Sequence, residues 1–391
     1  MSEPVEVAGG GDRIRRRLVL YVHGFDPRGP GTYYAMQVED AARETARPDR
    51  TLSVGPRRRQ GGLSAWTLSA VWPEGAVETE FVTLRWDDLV RARWDRSLRA
   101  QFAGLIEWWR VYRAKGITAD AARTSRTILI AILATPVTIA AFVASLLLIL
   151  TLAAVILGTV AAKLGLPAWL GALAYLGLAG GPRLWRRLDA RINLCWLSRG
   201  FLHTVEAAQG RIEGLDARLD AFADHLIQAA QDPAWDEIVV VGHSSGSIHA
   251  PVLIGRALSR RPELGREGPR VALITVGHCL PVVSKQGVSP ALAADLARLV
   301  AARHIGWMDI TAASDPGAAA GWRPLKDSSH AADETRVTCR SPRFHRAMAP
   351  AAYRRLKREP MALHFQYMRS SDHPEVYDWF RLIAGSEPIA R

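Results

Sequence analysis

Cysteine is scarce in this 391-residue chain: Cys195, Cys279 and Cys339 lie far apart, with no C-x-x-C pair. That spacing excludes a disulfide framework and a cysteine zinc site, and it fits a reducing, cytoplasmic setting. Acidic residues are also short, 38 against 50 Lys and Arg, for a formal net charge of +12. Such an excess points to nucleic acid or to an anionic membrane surface. No aromatic-interleaved basic motif, zinc signature or helix-turn-helix pattern is present, so nucleic acid is excluded as the expected partner. No signal peptide is expected, because the apolar run after Arg15-Arg16-Arg17 contains His23-Gly24 and stops quickly. Residues 1 to 13 read as a flexible tail.

The largest absence is of charge in one place. From Thr127 to Gly181 the only charged side chain is Lys163, and the segment is dense in Leu, Ile, Val and Ala. One bilayer crossing needs about 20 apolar residues, so this run is long enough for two crossings and a turn. Arg110, Arg113, Lys115, Arg123 and Arg126 precede it, and Arg183, Arg186, Arg187 and Arg191 follow it. An excess of this kind marks cytoplasmic flanks, so both ends and both termini are expected on the cytoplasmic side. Gly158 would divide the run into two adequate limbs. A turn at Lys163 to Pro167 would leave a second limb too short to cross without Arg183-Leu184-Trp185, and the hairpin would then be re-entrant.

Around this run the pattern is that of an α/β protein. Arg17 to Val22 is a short apolar strand ending in His23-Gly24-Phe25-Asp26-Pro27. A helix is expected over Tyr33 to Arg47, then a basic loop with Arg57-Arg58-Arg59 and Gly61-Gly62, a strand over Glu78 to Trp86, and a helix from Arg91 to Tyr112. After the hydrophobic segment, Ile212, Leu215, Leu219, Phe222 and Leu226 recur at helical intervals. Strands follow at Glu237 to Val241, Arg270 to Gly277 and His304 to Thr311. The chain is organised around the first of these, where a β-branched run ends in Gly242-His243-Ser244-Ser245-Gly246 and opens a helix. A serine on a strand-to-helix turn this tight needs small residues on both sides, and the turn lifts its hydroxyl clear of the sheet.

The serine turn and the earlier His23-Gly24 strand end together resemble the α/β-hydrolases of the lipase and esterase type. The resemblance implies a mostly parallel sheet flanked by helices, split here by a two-helix membrane hairpin. Residues 14–126 and 182–391 would form the two parts of the hydrolase domain and 127–181 the hairpin. It implies Ser244 as nucleophile and the backbone amides of Phe25 and Ser245 as an oxyanion hole. In that family the acid and then the histidine follow the serine. Asp315, in Ser314-Asp315-Pro316-Gly317 after the last strand, is the expected acid, with Asp309 as substitute. His364, in the strand-like run Met361 to Tyr367 and three residues before Tyr367, is the expected base, with His373 as rival. His243 and His278 are expected to serve packing or hydrogen bonding. The irregular segment 318–360, with seven Lys and Arg between Arg340 and Arg358, reads as a cap, a headgroup contact or a solvated insertion.

The expected activity is therefore cleavage of an ester, on an apolar or lipid-like substrate beside the bilayer, through an acyl-enzyme, with neither cofactor nor metal. A catalytically inactive hydrolase-like membrane scaffold is the alternative.

Overall fold

The computed structural model describes residues 13–60 and 62–389. The tail expected over residues 1 to 13 lies outside them but for its last residue. Strand β1 (Arg16–Val22) and helix α1 (Pro30–Thr45) are where the sequence placed them. The basic loop expected next is instead an antiparallel ladder, β2 (Thr51–Val54), β3 (Arg58–Gln60) and β4 (Leu63–Trp72), leading to β5 (Gly75–Leu84). Its signal is the period of two along β4, where Ser64, Trp66, Leu68, Ala70 and Trp72 are buried and the residues between them are not. The helix expected from Arg91 to Tyr112 is two, α2 (Asp87–Ala92) and α3 (Leu98–Ala114). Ser97 breaks it by capping: its hydroxyl accepts from the Ala100 amide at 3.2 Å, while Asp95 holds the Ser97 amide at 2.7 Å.

Helices α4 (Ile117–Thr124) and α5 (Arg126–Lys163) come next, then a 3₁₀ limb (Ala168–Gly180), α6 (Gly181–Ile192), α7 (Leu194–Ala208) and α8 (Leu215–Ala229). The rest of the chain runs β6 (Glu237–His243), α9 (Gly246–Arg260), β7 (Arg270–Val276), α10 (Leu280–Gln286), α11 (Pro290–Ala301), β8 (Gly306–Ile310) and β9 (Thr338–Arg340). It closes with α12 (Phe344–Ala347), α13 (Pro350–Leu356), α14 (Pro360–Phe365) and α15 (Trp379–Ala384).

The strands form one mixed sheet, in the order β2-β4-β5-β1-β6-β7-β8-β9 with β3 beside β4. Pairings from β5 through β1, β6, β7 and β8 to β9 are parallel, and those of β4 with β2, β3 and β5 are antiparallel. Alternate residues feed two cores. Leu18, Leu20, Ile238 and Val240 meet α8, α9 and α11 on one face, while Val19, Tyr21, Val239 and Val241 meet α1, α14 and α15 on the other. Arg17 and Glu237, both wholly buried, pair at 2.7 Å across β1 and β6. Arg17 also donates to the carbonyls of Gly385 and Glu387, at 2.8 and 2.7 Å, and so ties the C-terminal segment to the sheet.

The hydrophobic segment is one long helix and a returning limb, and the chain turns at Leu164 to Pro167 rather than at Gly158. Helix α5 is the one helix among the described residues long and apolar enough to cross a membrane. Its first half is rooted in the body, with Ile128, Ile132, Ile139 and Phe142 buried. Beyond Leu147 most side chains are exposed, Leu148, Ile149, Val155 and Ile156 by 60% or more. Gly158 does not turn the chain; it receives the returning limb, for a Cβ on Gly171 would stand 2.1 Å from the Ala154 carbonyl oxygen. The limb has 13 residues, too few for an α-helical crossing. Wound as 3₁₀ at about 2.0 Å per residue it reaches about 26 Å, the same as Leu147 to Lys163 at about 1.5 Å per residue.

Segment 318–360 packs on the body through part of its length. Trp322 is buried and donates to Thr124 at 2.6 Å, Arg336 donates to the Ala302 carbonyl at 3.1 Å, and Phe344 lies against Tyr367 with ring centroids 5.1 Å apart.

Candidate active site

Parallel pairing brings four strand ends to one edge of the sheet. Val22 stands opposite Gly242, His243 opposite Val276 and Val276 opposite Ile310. The loops that begin at His23, Ser244, Gly277 and Thr311 therefore leave the sheet side by side. The order also changes direction between β1 and β6, and in open α/β sheets the crevice beyond the strand ends at such a point is where ligands bind.

Ser244 occupies the turn between β6 and α9 with φ of 54°, left-handed backbone that a non-glycine residue rarely adopts. Its amide donates to the Val276 carbonyl at 3.0 Å. The flanking glycines are required by contact: a Cβ on Gly246 would stand 2.0 Å from the Val22 carbonyl oxygen, and one on Gly242 2.5 Å from that of Gly246. The loop after β1 lies directly against the serine, since a Cβ on Gly24 would come within 2.8 Å of Ser244 Cβ and 3.3 Å of Oγ. Among the described residues neither the Phe25 nor the Ser245 amide donates to a protein acceptor, so both are free for an incoming oxygen.

His364 and Asp315 meet across the loops. The His364 Nδ1–H donates to Asp315 Oδ2 at 2.8 Å and Oδ1 at 3.0 Å, which leaves Nε2 bare to accept a proton. Asp315 is wholly buried and takes two further donors, the Gly317 amide at 2.8 Å and the Tyr367 hydroxyl at 2.9 Å. The Tyr367 hydroxyl in turn accepts the Ala312 amide at 2.9 Å. His243 Nε2 donates to the His364 carbonyl at 3.0 Å and fixes the backbone of that residue. Among the described residues no hydrogen bond joins Ser244 Oγ to the His364 ring, a contact that in ligand-free sites often closes only with substrate.

The rivals lie elsewhere. His373 is half exposed and pairs with Glu375 at 3.2 Å, and its segment is a turn rather than the expected helix start. Asp309 is engaged by the Thr275 and Thr311 hydroxyls at 2.6 and 3.0 Å, with His278 at 3.7 Å. His364 sits on α14 and not in a strand. Pro360 starts that helix, and its apolar residues Leu363 and Phe365 bury themselves against the sheet from a helical turn, which a six-residue apolar run does not distinguish from a strand. Cys279 stays a thiol beside the serine, its pKa pushed up to about 12 by burial and the Asp315 charge.

Sequence reasoning did not assign a role to Tyr367; the His-x-x-Tyr spacing was its only signal. If its hydroxyl holds Asp315, Tyr367→Phe keeps the fold and lowers kcat/KM about 10- to 100-fold, the worth of one hydrogen bond to a charged group. Circular dichroism and ester turnover would check this, and unchanged turnover would remove Tyr367 from the site.

A second buried cluster lies under the Phe25 loop. His203 and His249 share a hydrogen bond between their Nε2 atoms at 3.1 Å. Trp86 packs on both, and on His23 with ring centroids 5.3 Å apart. Burial pushes His203 well below the ordinary histidine range and His249 down to about 3. These rings are neutral packing elements that set the height of the loop. Among the described residues no group of His, Cys, Asp and Glu could hold a metal ion. Comparison with protein-family models, with curated proteins and with solved structures returns no match for this chain.

Proposed function

We propose that this chain is a membrane-anchored serine hydrolase of the α/β-hydrolase type that cleaves an ester of an apolar, lipid-like substrate. The observation that carries the reading is Ser244, held at φ 54° on the turn between β6 and α9 at the sheet edge where the Asp315–His364 couple lies. Ser244 Oγ attacks the acyl carbonyl carbon while His364 Nε2 takes the hydroxyl proton, and the amides of Phe25 and Ser245 receive the developing oxyanion. His364 returns the proton to the leaving alcohol as the ester bond breaks. Water then attacks the acyl-enzyme, gives a proton to His364, and releases the acid as Ser244 is protonated again.

The strand order supports the fold reading, with the His-Gly strand β1 beside the nucleophile strand β6. The antiparallel strands come after β1 in the chain rather than before it, a departure from the family pattern. The membrane reading rests on the exposed apolar hairpin, whose limbs of about 26 Å approach the roughly 30 Å of a hydrocarbon core. Both limbs start from the catalytic side, so β1 and β6 can share one active site only if the chain returns there. With basic flanks, that side is cytoplasmic.

Fluorophosphonate labelling of detergent-solubilised protein tests the enzyme reading. Labelling is expected for wild type and His373→Ala and lost in Ser244→Ala and His364→Ala. Folded wild type that does not label would favour the inactive scaffold, with the missing Ser244–His364 hydrogen bond as its structural basis.

A further inference from the structure

Helix α6 follows the returning limb directly, and its sides differ. Gly181, Trp185 and Asp189 are buried in the body. One turn step away run Leu184 and Ile192, exposed by 50% and 46%, with Leu188 between them half-buried. On the far side Arg183, Arg187 and Arg191 are exposed, and no ion pair or hydrogen bond holds any of them among the described residues. An apolar edge is thus left exposed beside unneutralised arginines. That is the composition of a helix lying in the plane of a bilayer interface.

Helix α3 repeats the arrangement. Leu98 and Leu105 of α3 and Trp185 and Leu188 of α6 pack around Ile139 and Phe142 at the root of α5. The outer side of α3 exposes Phe102 by 37% and Ile106 by 48%, in helical register with Arg110 and Arg113, exposed and equally unpaired. Two amphipathic helices thus flank the point where the apolar hairpin leaves the body.

From this we infer that α6, with α3 beside it, is a docking surface for anionic phospholipid headgroups, and that it seats the mouth of the active site on the bilayer. The inference rests on the membrane half of the proposed function and adds the lipid it reads. The link to the site is short. Asp189 of α6 accepts from Arg96 Nε at 2.8 Å and from the Cys195 amide at 2.7 Å, joining α6 to the loop before α3 and to the start of α7. Trp94 in that loop and Trp196 on α7 meet edge to face at 5.6 Å, and Trp94 lies 5.7 Å from the ring of Phe25, the oxyanion residue. Seating α6 therefore sets the position of the Phe25 loop above the headgroups.

Hydrogen exchange of the full chain in nanodiscs of neutral phosphatidylcholine, or with phosphatidylglycerol added, separates the two layers of the argument. The hairpin, 147–180, is expected to be protected in both discs; exchange there as fast as in open solution would defeat the membrane reading itself. Residues 181–193 are expected to gain protection only with the anionic lipid. Each arginine near such a surface is worth about fivefold in binding, so Arg183→Gln/Arg187→Gln/Arg191→Gln should lower that gain on the order of a hundredfold. About 0.5 M salt should abolish the gain, because it shortens the Debye length to a few ångströms. A hairpin protected in both discs with α6 indifferent to lipid and salt would overturn the inference. So would protection of α6 that follows protein concentration, since the edge would then face a second copy of the chain.

Discussion

Asp315→Asn is expected to cut kcat about 10⁴-fold, roughly 5.5 kcal/mol of barrier, with KM nearly unchanged and the fold intact. The carboxylate here does three things at once: it accepts from His364 Nδ1, from the Gly317 amide and from the Tyr367 hydroxyl. An asparagine has one acceptor oxygen and an NH₂ group that must donate. With its oxygen toward the Gly317 amide, its NH₂ donates to His364 Nδ1 and forces the proton onto Nε2. The ring then cannot take the Ser244 proton, although no atom has moved by much. Steady-state hydrolysis of a chromogenic ester in detergent, with circular dichroism for the fold, would check this. Activity within tenfold of wild type would show that Asp315 does not orient the base.

Acid is expected to destabilise the domain from about pH 6.5 downward, before the ordinary carboxylate range is reached. His203, His243 and His249 are fully buried and kept neutral, with burial as the main cause in each and His249 lowered to about 3. Because their folded values lie below the unfolded value near 6.5, the unfolded chain binds protons that the folded one refuses. Stability is complete above about pH 6.5 and falls as pH drops below it, levelling off only below the folded values. Each group costs about 1.4 kcal/mol per pH unit while the pH lies between its unfolded and folded values, and for His249 that window runs down to about pH 3. Urea midpoints in detergent at pH 7.5, 6.5 and 5.5 would show the decline, and His249→Gln should make its slope shallower. A midpoint that does not move over this range would mean that the three rings are not the neutral packing elements described above. The consequence reaches the site, since His203 packs directly on the ring of Phe25 at 5.2 Å.

The sequence by itself determined what local chemistry determines. Gly242-His243-Ser244-Ser245-Gly246 after a β-branched run admits little other than a tight strand-to-helix turn, because the glycines have no alternative that fits. The apolar run from Thr127 announced a segment that buries poorly in a soluble body, and α8 was written in the spacing of Leu215, Leu219, Phe222 and Leu226. What depends on neighbours was decided only in three dimensions. The ladder from β2 to β4 needed β5 to pair with. The turn of the hairpin falls at Leu164 to Pro167 because the glycines at 158 and 171 are used for contact between the limbs. His364 reads as a strand residue in isolation and is a helix residue because the sheet edge receives Leu363 and Phe365 from a turn. The preference for His364 over His373 and for Asp315 over Asp309 was already in the sequence; that the His364 ring and the Asp315 carboxylate meet is a relation between residues 49 positions apart, which no local pattern encodes.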